Sequence, residues 1–159
     1  MLLQVKDLRS HFFTEEGVVK AVDGVSFDLA EGETLGIVGE TGCGKTVAAL
    51  SIMRLLSSPG RIVGGEVLFK GEDLLKKSDD KMRRIRGGEI SMVFQDPATS
   101  FNPVFNIGDQ IAEILQVQMG LDKRKALEKA RDMLELVKIP KAGVMLHQYP
   151  HELSGGMRQ

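Results

Sequence analysis

The chain has 159 residues, 42% of them hydrophobic and 27% charged, with a formal net charge of −1. That balance is ordinary for a globular domain with a core of its own, and it gives no electrostatic reason to expect nucleic acid or an anionic membrane surface as a partner. No apolar run approaches the ~20 residues of a membrane span and the N-terminus lacks a signal-peptide pattern. The single cysteine, Cys43, forms no internal disulfide and points to a reducing cytoplasm.

In chain order, residues 2–33 read as β-rich: residues 2–5 and 18–29 alternate apolar and polar side chains, as half-buried strands do. Residues 34–38 (TLGIV) are a short apolar run suited to a buried parallel strand. Directly after it, residues 39–46 read GETGCGKT, a full G-x-x-x-x-G-K-[ST] phosphate-binding loop. Its glycines, Gly39, Gly42 and Gly44, let the backbone wrap tightly and turn successive N–H groups inward, with Thr41 and Cys43 between them. A helix is expected to continue over residues 47–56, beginning with Val47, and its positive N-terminal end faces the phosphates. Lys45 is expected to reach the β- and γ-phosphates of a nucleoside triphosphate, and the Thr46 hydroxyl to ligate Mg²⁺. At this helix start Cys43 is expected to be open to alkylation when nucleotide is absent.

Residues 61–73 contain a turn and another strand. Lys76 to Arg86 form a mixed-charge segment in which Ser78 is expected to cap a helix with a solvated basic face. Residues 90–97 (ISMVFQDP) read as a strand running into a turn. From Asn102 the pattern becomes helical. Ile107, Ile111, Ile114 and Leu115 make one apolar stripe; Ala126, Leu127, Ala130, Met133, Leu134 and Val137 make another, on a helix capped by Asp122. Pro140 and Pro150 bound the loop that leads to the final LSGGMRQ of residues 153–159. His147 and His151 have the spacing of metal ligands on one helix, but Pro150 interrupts helix there. The eight methionines read as core and gap filling.

The LSGGMRQ ending, following the phosphate-binding loop, resembles the signature of ATP-binding-cassette (ABC) ATPases. The resemblance covers the whole chain. It implies an α/β fold with a P-loop NTPase core (ABC-type, RecA-like), an antiparallel β subdomain and a helical subdomain. Residues 1–95 would carry the antiparallel sheet and part of the P-loop core. Residues 96–159 would carry the Q-loop segment and the helical subdomain, incomplete at the C-terminus. In that family the signature Ser154, Gly155 and Gly156 grip the nucleotide held by the opposite subunit, with a helix N-terminus and small residues admitting close backbone approach. Gln95 matches the Q-loop glutamine, whose amide contacts Mg²⁺ or the attacking water; Lys45 and Gln95 are thereby the expected catalytic residues. Phe12, favoured over Phe13, is the expected adenine-stacking aromatic, a contact adding roughly 0.5–1.5 kcal/mol beyond burial.

A finer resemblance is to the ATPase subunits of oligopeptide and dipeptide importers. It is carried by residues 19–27 (VKAVDGVSF), 94–103 (FQDPATSFNP), 107–111 (IGDQI) and 149–152 (YPHE), and Met157 in the signature resembles the D-type subunit. The resemblance implies ATP and Mg²⁺ as ligands, transmembrane permease subunits and a second ATPase subunit as partners, no nucleic acid, and a cytoplasmic position on the inner face of the membrane. Nickel importer ATPases share much of the pattern. A non-transport ABC ATPase of DNA repair or chromosome organisation is a second alternative, disfavoured because such enzymes commonly insert a coiled coil or zinc module before the signature. A simple P-loop kinase, which the LSGGMRQ ending disfavours, and a nucleotide-binding module without turnover are further alternatives. The family's Walker B strand, D-loop and switch histidine would all lie beyond Gln159, so residues 1–159 alone are expected to bind ATP without turning it over and to self-associate.

Overall fold

A computed structural model describes residues 1–95 and 100–159. Asp96, Pro97, Ala98 and Thr99, part of the run that carries the finer resemblance, lie outside the described residues. The chain divides into two compact units, Met1–Arg86 and Gly87–Gln159, and each is taken by itself.

The first unit is built on a four-stranded antiparallel sheet in the order β2-β1-β3-β4. Its strands are β1 (Leu3–Thr14), β2 (Gly17–Leu29), β3 (Gly60–Phe69) and β4 (Glu72–Asp73). β1 is central. It pairs with β2 from Leu3↔Leu29 to Thr14↔Gly17, and with β3 from Leu3↔Phe69 to Phe12↔Gly60. Leu8 and Ser10 alternate onto one buried face, and an irregularity in the pairing between Val5 and Leu8, where Asp7 takes a φ of 47°, accompanies the burial of Val5, three residues before Leu8. Helix α1 (Lys45–Ile52) and helix α2 (Asp79–Gly88) as far as Arg86 belong to the same unit, and Ala48, Met53, Met82 and Ile85 join Val22, Val67, Phe69 and Leu74 in its buried apolar set. Each such large side chain contributes about 1.5–3 kcal/mol on full burial.

Two runs expected as strands do not form them. Residues 34–38 lie outside any strand, with Val38 95% exposed, and so do residues 90–94. A parallel strand is stabilised only by flanking strands, and among the described residues none hydrogen-bonds to either run. Helix α1 is also shorter than the expected span over 47–56. It ends at Ile52, Met53 is its C-cap, and Arg54 takes a left-handed φ of 52°. Arg86 of α2 completes this end by donating Nε–H to the Met53 carbonyl and an Nη2 hydrogen to that of Arg54, each at 2.7 Å.

The second unit is helical: α3 (Ile107–Met119), α4 (Lys123–Leu136), α5 (Ala142–Met145) and α6 (Gly155–Arg158). Its core is Ala112 and Leu115 of α3, Ala126 and Ala130 of α4, and Leu146, with Ile111, Leu127 and Leu134 partly buried against them. The two alanines sit one turn apart, so α4 turns a smooth stripe toward this cluster. Three members of the expected stripes face out instead: Ile114 is 63%, Met133 43% and Val137 66% exposed. The inward face of α3 runs through Gly108 and Ala112 rather than through the larger Ile114, because short side chains let other segments approach. A Cβ on Gly108 would press against the Leu146 carbonyl, whose oxygen accepts the Gly108 N–H at 2.8 Å. Ile107 N–H donates to the Gln148 carbonyl at 2.9 Å, so two N–H groups of the first turn of α3 are satisfied from outside the helix.

Caps fix the remaining ends. Asn106 Oδ1 accepts from Asp109 N–H at 2.7 Å ahead of α3, Gly120 closes α3 at φ 65°, and Asp122 accepts from Lys125 N–H at 2.9 Å ahead of α4. The Lys123 ammonium, then the Asn106 amide, holds the Asp109 carboxyl below its ordinary range. The Lys125 backbone N–H does the same for Asp122. No helix among the described residues is long and apolar enough to cross a membrane.

Candidate functional site

The phosphate-binding loop connects the unpaired run 34–38 to α1. Gly44, the N-cap of α1, adopts φ 95° and ψ 2°, a conformation costly for any residue with a Cβ. A Cβ there would also collide with the carbonyl oxygen of Ala21 on β2. Sequence spacing predicts a glycine at this position; the sheet beneath it supplies the second reason. At Gly39 the missing side chain makes room for Cys43, whose Sγ would lie 2.6 Å from a Cβ.

The loop wraps around Lys45. The ammonium donates to the carbonyl oxygens of Gly39 and Glu40, each at 2.7 Å, and lies 3.5 Å from Cys43 Sγ. Cys43 N–H donates to the Glu40 carbonyl at 3.3 Å and tightens the turn. No side chain caps α1. The first N–H that bonds back to Gly44 is that of Ala48, at 2.8 Å, so the preceding N–H groups at Lys45, Thr46 and Val47 stay available to an anion with the helix dipole behind them. Thr46, in this first turn, is exposed, as are Thr41, Gly42 and Cys43. The site therefore offers one ammonium, three backbone donors at the helix head and an exposed hydroxyl, the donor set of a polyphosphate site with a hard cation.

Phe12 and Phe13 end differently on β1. Phe12 is half-buried, with its ring edge against Gly60, where a Cβ would lie 2.8 Å from Cε1. Phe13 is 44% exposed, with the Arg61 guanidinium 5.7 Å from its ring centroid. Two residues before Phe12, Ser10 meets Ser51 of α1 through their hydroxyl oxygens at 2.7 Å, and both residues are fully buried. This link is absent from the sequence reading. Its only signal was a serine in an otherwise apolar stretch of the helix after the loop, where a buried hydroxyl needs a partner.

In the second unit, Ser154 is the N-cap of α6 and its Oγ accepts from Met157 N–H at 3.3 Å. Gly155 and Gly156 follow in the first turn, exposed, and a Cβ on either would meet nothing within 4 Å. The signature residues thus present bare backbone outward. Gln95 is exposed at a bend in the same unit. The structure brings Gly39, Cys43, Gly44 and Lys45 together in one unit and Ser154, Gly155 and Gly156 together in the other. His151, the second histidine of the pair considered as ligands, stacks on Tyr149 at 5.7 Å.

The family model described as "ABC transporter" matches residues 22–159. Over 160 aligned residues the chain is 54% identical to "Probable peptide ABC transporter ATP-binding protein y4tR" of Sinorhizobium fredii, covering 100% of this chain and 48% of that protein. It is 50% identical to the dipeptide transport ATP-binding protein DppD of Bacillus subtilis, covering 99% of this chain and 48% of DppD. The chain spans about half the length of the curated relatives it matches. Its fold is that of the ATP-binding cassette MJ0796, solved as a dimer in a post-hydrolysis state bound to ADP and Pi. The match has a TM-score of 0.84 at 22% identity and covers 98% of this chain and 65% of that one.

Proposed function

This chain belongs to the ABC transporter family, and from that premise we propose that it is the ATP-binding part of a subunit that couples ATP binding and hydrolysis to the import of dipeptides or oligopeptides. The observation that carries the reading is the folded phosphate loop: Lys45 gripped by the Gly39 and Glu40 carbonyls beside the uncapped start of α1. The names of relatives near 50% identity, which print peptide, dipeptide and oligopeptide transport, support the cargo class.

On this reading a triphosphate draws Lys45 away from two neutral carbonyls into charge-assisted bonds, which are stronger. The backbone N–H groups of Lys45, Thr46 and Val47 at the head of α1 donate to the phosphates, the loop from Gly39 to Gly44 wraps around them, and Phe12 stacks on the adenine. Thr46 and Gln95 would hold Mg²⁺ through a hydroxyl and an amide oxygen, both hard donors, and the cation would supply positive charge against the phosphates. Lys45 stabilises the same developing charge, and Gln95 orients the attacking water. Ser154, Gly155 and Gly156 receive the phosphates of a nucleotide bound to a second ATPase subunit, their uncovered backbone admitting close approach. Residues 1–95 then carry the base and phosphate sites and end on Gln95, and residues 96–159 carry the rest of the Q-loop segment and the signature. The helical part meets transmembrane permease subunits, which places the protein on the cytoplasmic face of the membrane.

Uptake of a labelled dipeptide tests this in cells whose only peptide-importer ATPase is the intact protein. Lys45→Ala should abolish uptake while the protein remains at its normal level. Dipeptide uptake that persists, or a loss of nickel uptake alone, contradicts the peptide assignment.

A further inference from the structure

The two halves of the proposed nucleotide site sit on different elements: Phe12 on β1, and the phosphate loop at the head of α1. A buried polar contact joins these elements. Ser51 Oγ lies 2.6 Å from the Val47 carbonyl and gives its only hydrogen to that oxygen. It therefore accepts, rather than donates, in its 2.7 Å contact with Ser10. The direction is fixed: Ser10 donates to Ser51, and Ser51 donates to the helix backbone. Both residues have zero exposure, so water replaces neither bond.

The pair stands at a telling place. Ser10 lies on the central strand, opposite Val22 of β2 on one side and Ile62 of β3 on the other, so the sheet holds it from both flanks. Phe12 is two residues on and shares its face, about 7 Å along the strand. Ser51 lies five residues after Thr46 on α1, about 7.5 Å along the helix axis. At the head of the same helix, Gly44 rests against the Ala21 carbonyl of β2. Among the contacts that hold the helix on the sheet are a backbone contact at its start and the serine pair near its end. Two points set its direction as well as its position. An apolar pair would allow sliding, whereas a directed hydrogen bond does not.

We propose that Ser10 and Ser51 are positioning residues for ATP, setting the distance between the adenine platform at Phe12 and the phosphate loop at Lys45. The pair touches no part of the ligand and acts through Phe12. The proposal rests on the reading of Phe12 and the loop as two halves of one ATP site, and it concerns ligands that span both.

Affinities of the intact protein for Mg-ATP and for inorganic triphosphate test it. Ser10→Ala removes the donor while leaving the Ser51 proton on the Val47 carbonyl, so this variant strands no buried hydrogen; Ser51→Ala is the second variant. Each should weaken ATP several-fold, up to the roughly tenfold that a whole aromatic stack contributes, and leave triphosphate affinity within about twofold. Because the pair acts through the stack, Ser10→Ala should cost nothing further in a Phe12→Ala background. Equal losses for both ligands, full additivity with Phe12→Ala, or unchanged ATP affinity in a folded Ser10→Ala protein would overturn the positioning role. The underlying reading fails separately: Phe12→Ala without effect on ATP removes the platform, and a wild-type protein that binds neither ligand removes the site.

Discussion

Lys45 and Gly44 are neighbours constrained in opposite senses. Lys45 has partners it can exchange, the carbonyls of Gly39 and Glu40, whereas Gly44 has a backbone conformation and an Ala21 contact that no other residue fits. Gly44→Ala should therefore cost roughly 1–3 kcal/mol, read as a lower midpoint of thermal unfolding; an unchanged midpoint would mean that the loop is not held against the sheet as described. At this scale the sequence was most informative, because the glycines and Lys45 are specified by local backbone chemistry at fixed spacing. It could not show that Lys45 bonds to the loop's own carbonyls, or that Ser10 and Ser51 meet across 41 positions. Both depend on where the chain folds back.

Among the elements, those with local signals were the most legible. The Asp122 cap was expected and is present, and Asn106 plays the same part ahead of α3. Asn106→Ala should destabilise the second unit by about 1 kcal/mol, seen as a shift of its denaturant midpoint; no shift would deny the cap its role. Acid should act on the same helix starts. The carboxyls of Asp109 and Asp122 are held below their ordinary range in the folded protein, so the folded chain binds fewer protons than the unfolded chain in mild acid. Their contribution is complete above the ordinary carboxylate pKa and disappears as pH falls through the lower folded values. Far-ultraviolet circular dichroism across that range should show a falling melting temperature, with Asp109→Asn flattening the acid limb. A profile identical in the variant would place the sensitivity elsewhere. The elements misread were those whose state depends on distant partners. The runs 34–38 and 90–94 have strand composition, but a ladder needs neighbours that composition does not reveal. The early end of α1 depends on Arg86, 32 positions beyond the Arg54 carbonyl it binds.

For the whole molecule, some of the exposed apolar side chains lie where pairing is missing. Leu35, Ile37 and Val38 in one unit and Val93 and Phe94 in the other lie open, the kind of surface that takes up further protein. The relatives are about twice as long as this chain, so hydrolysis, cargo and permease contacts belong to the proposal for the whole subunit. Nucleotide binding is the claim on which all of these depend. Equilibrium titration of the intact protein with a fluorescent ATP analogue in the presence of Mg²⁺, wild type against Lys45→Ala, tests it most directly. The account predicts at least about a tenfold weaker dissociation constant for the variant, since a charge-assisted contact contributes ~1.5–3 kcal/mol, and an unchanged constant would contradict it.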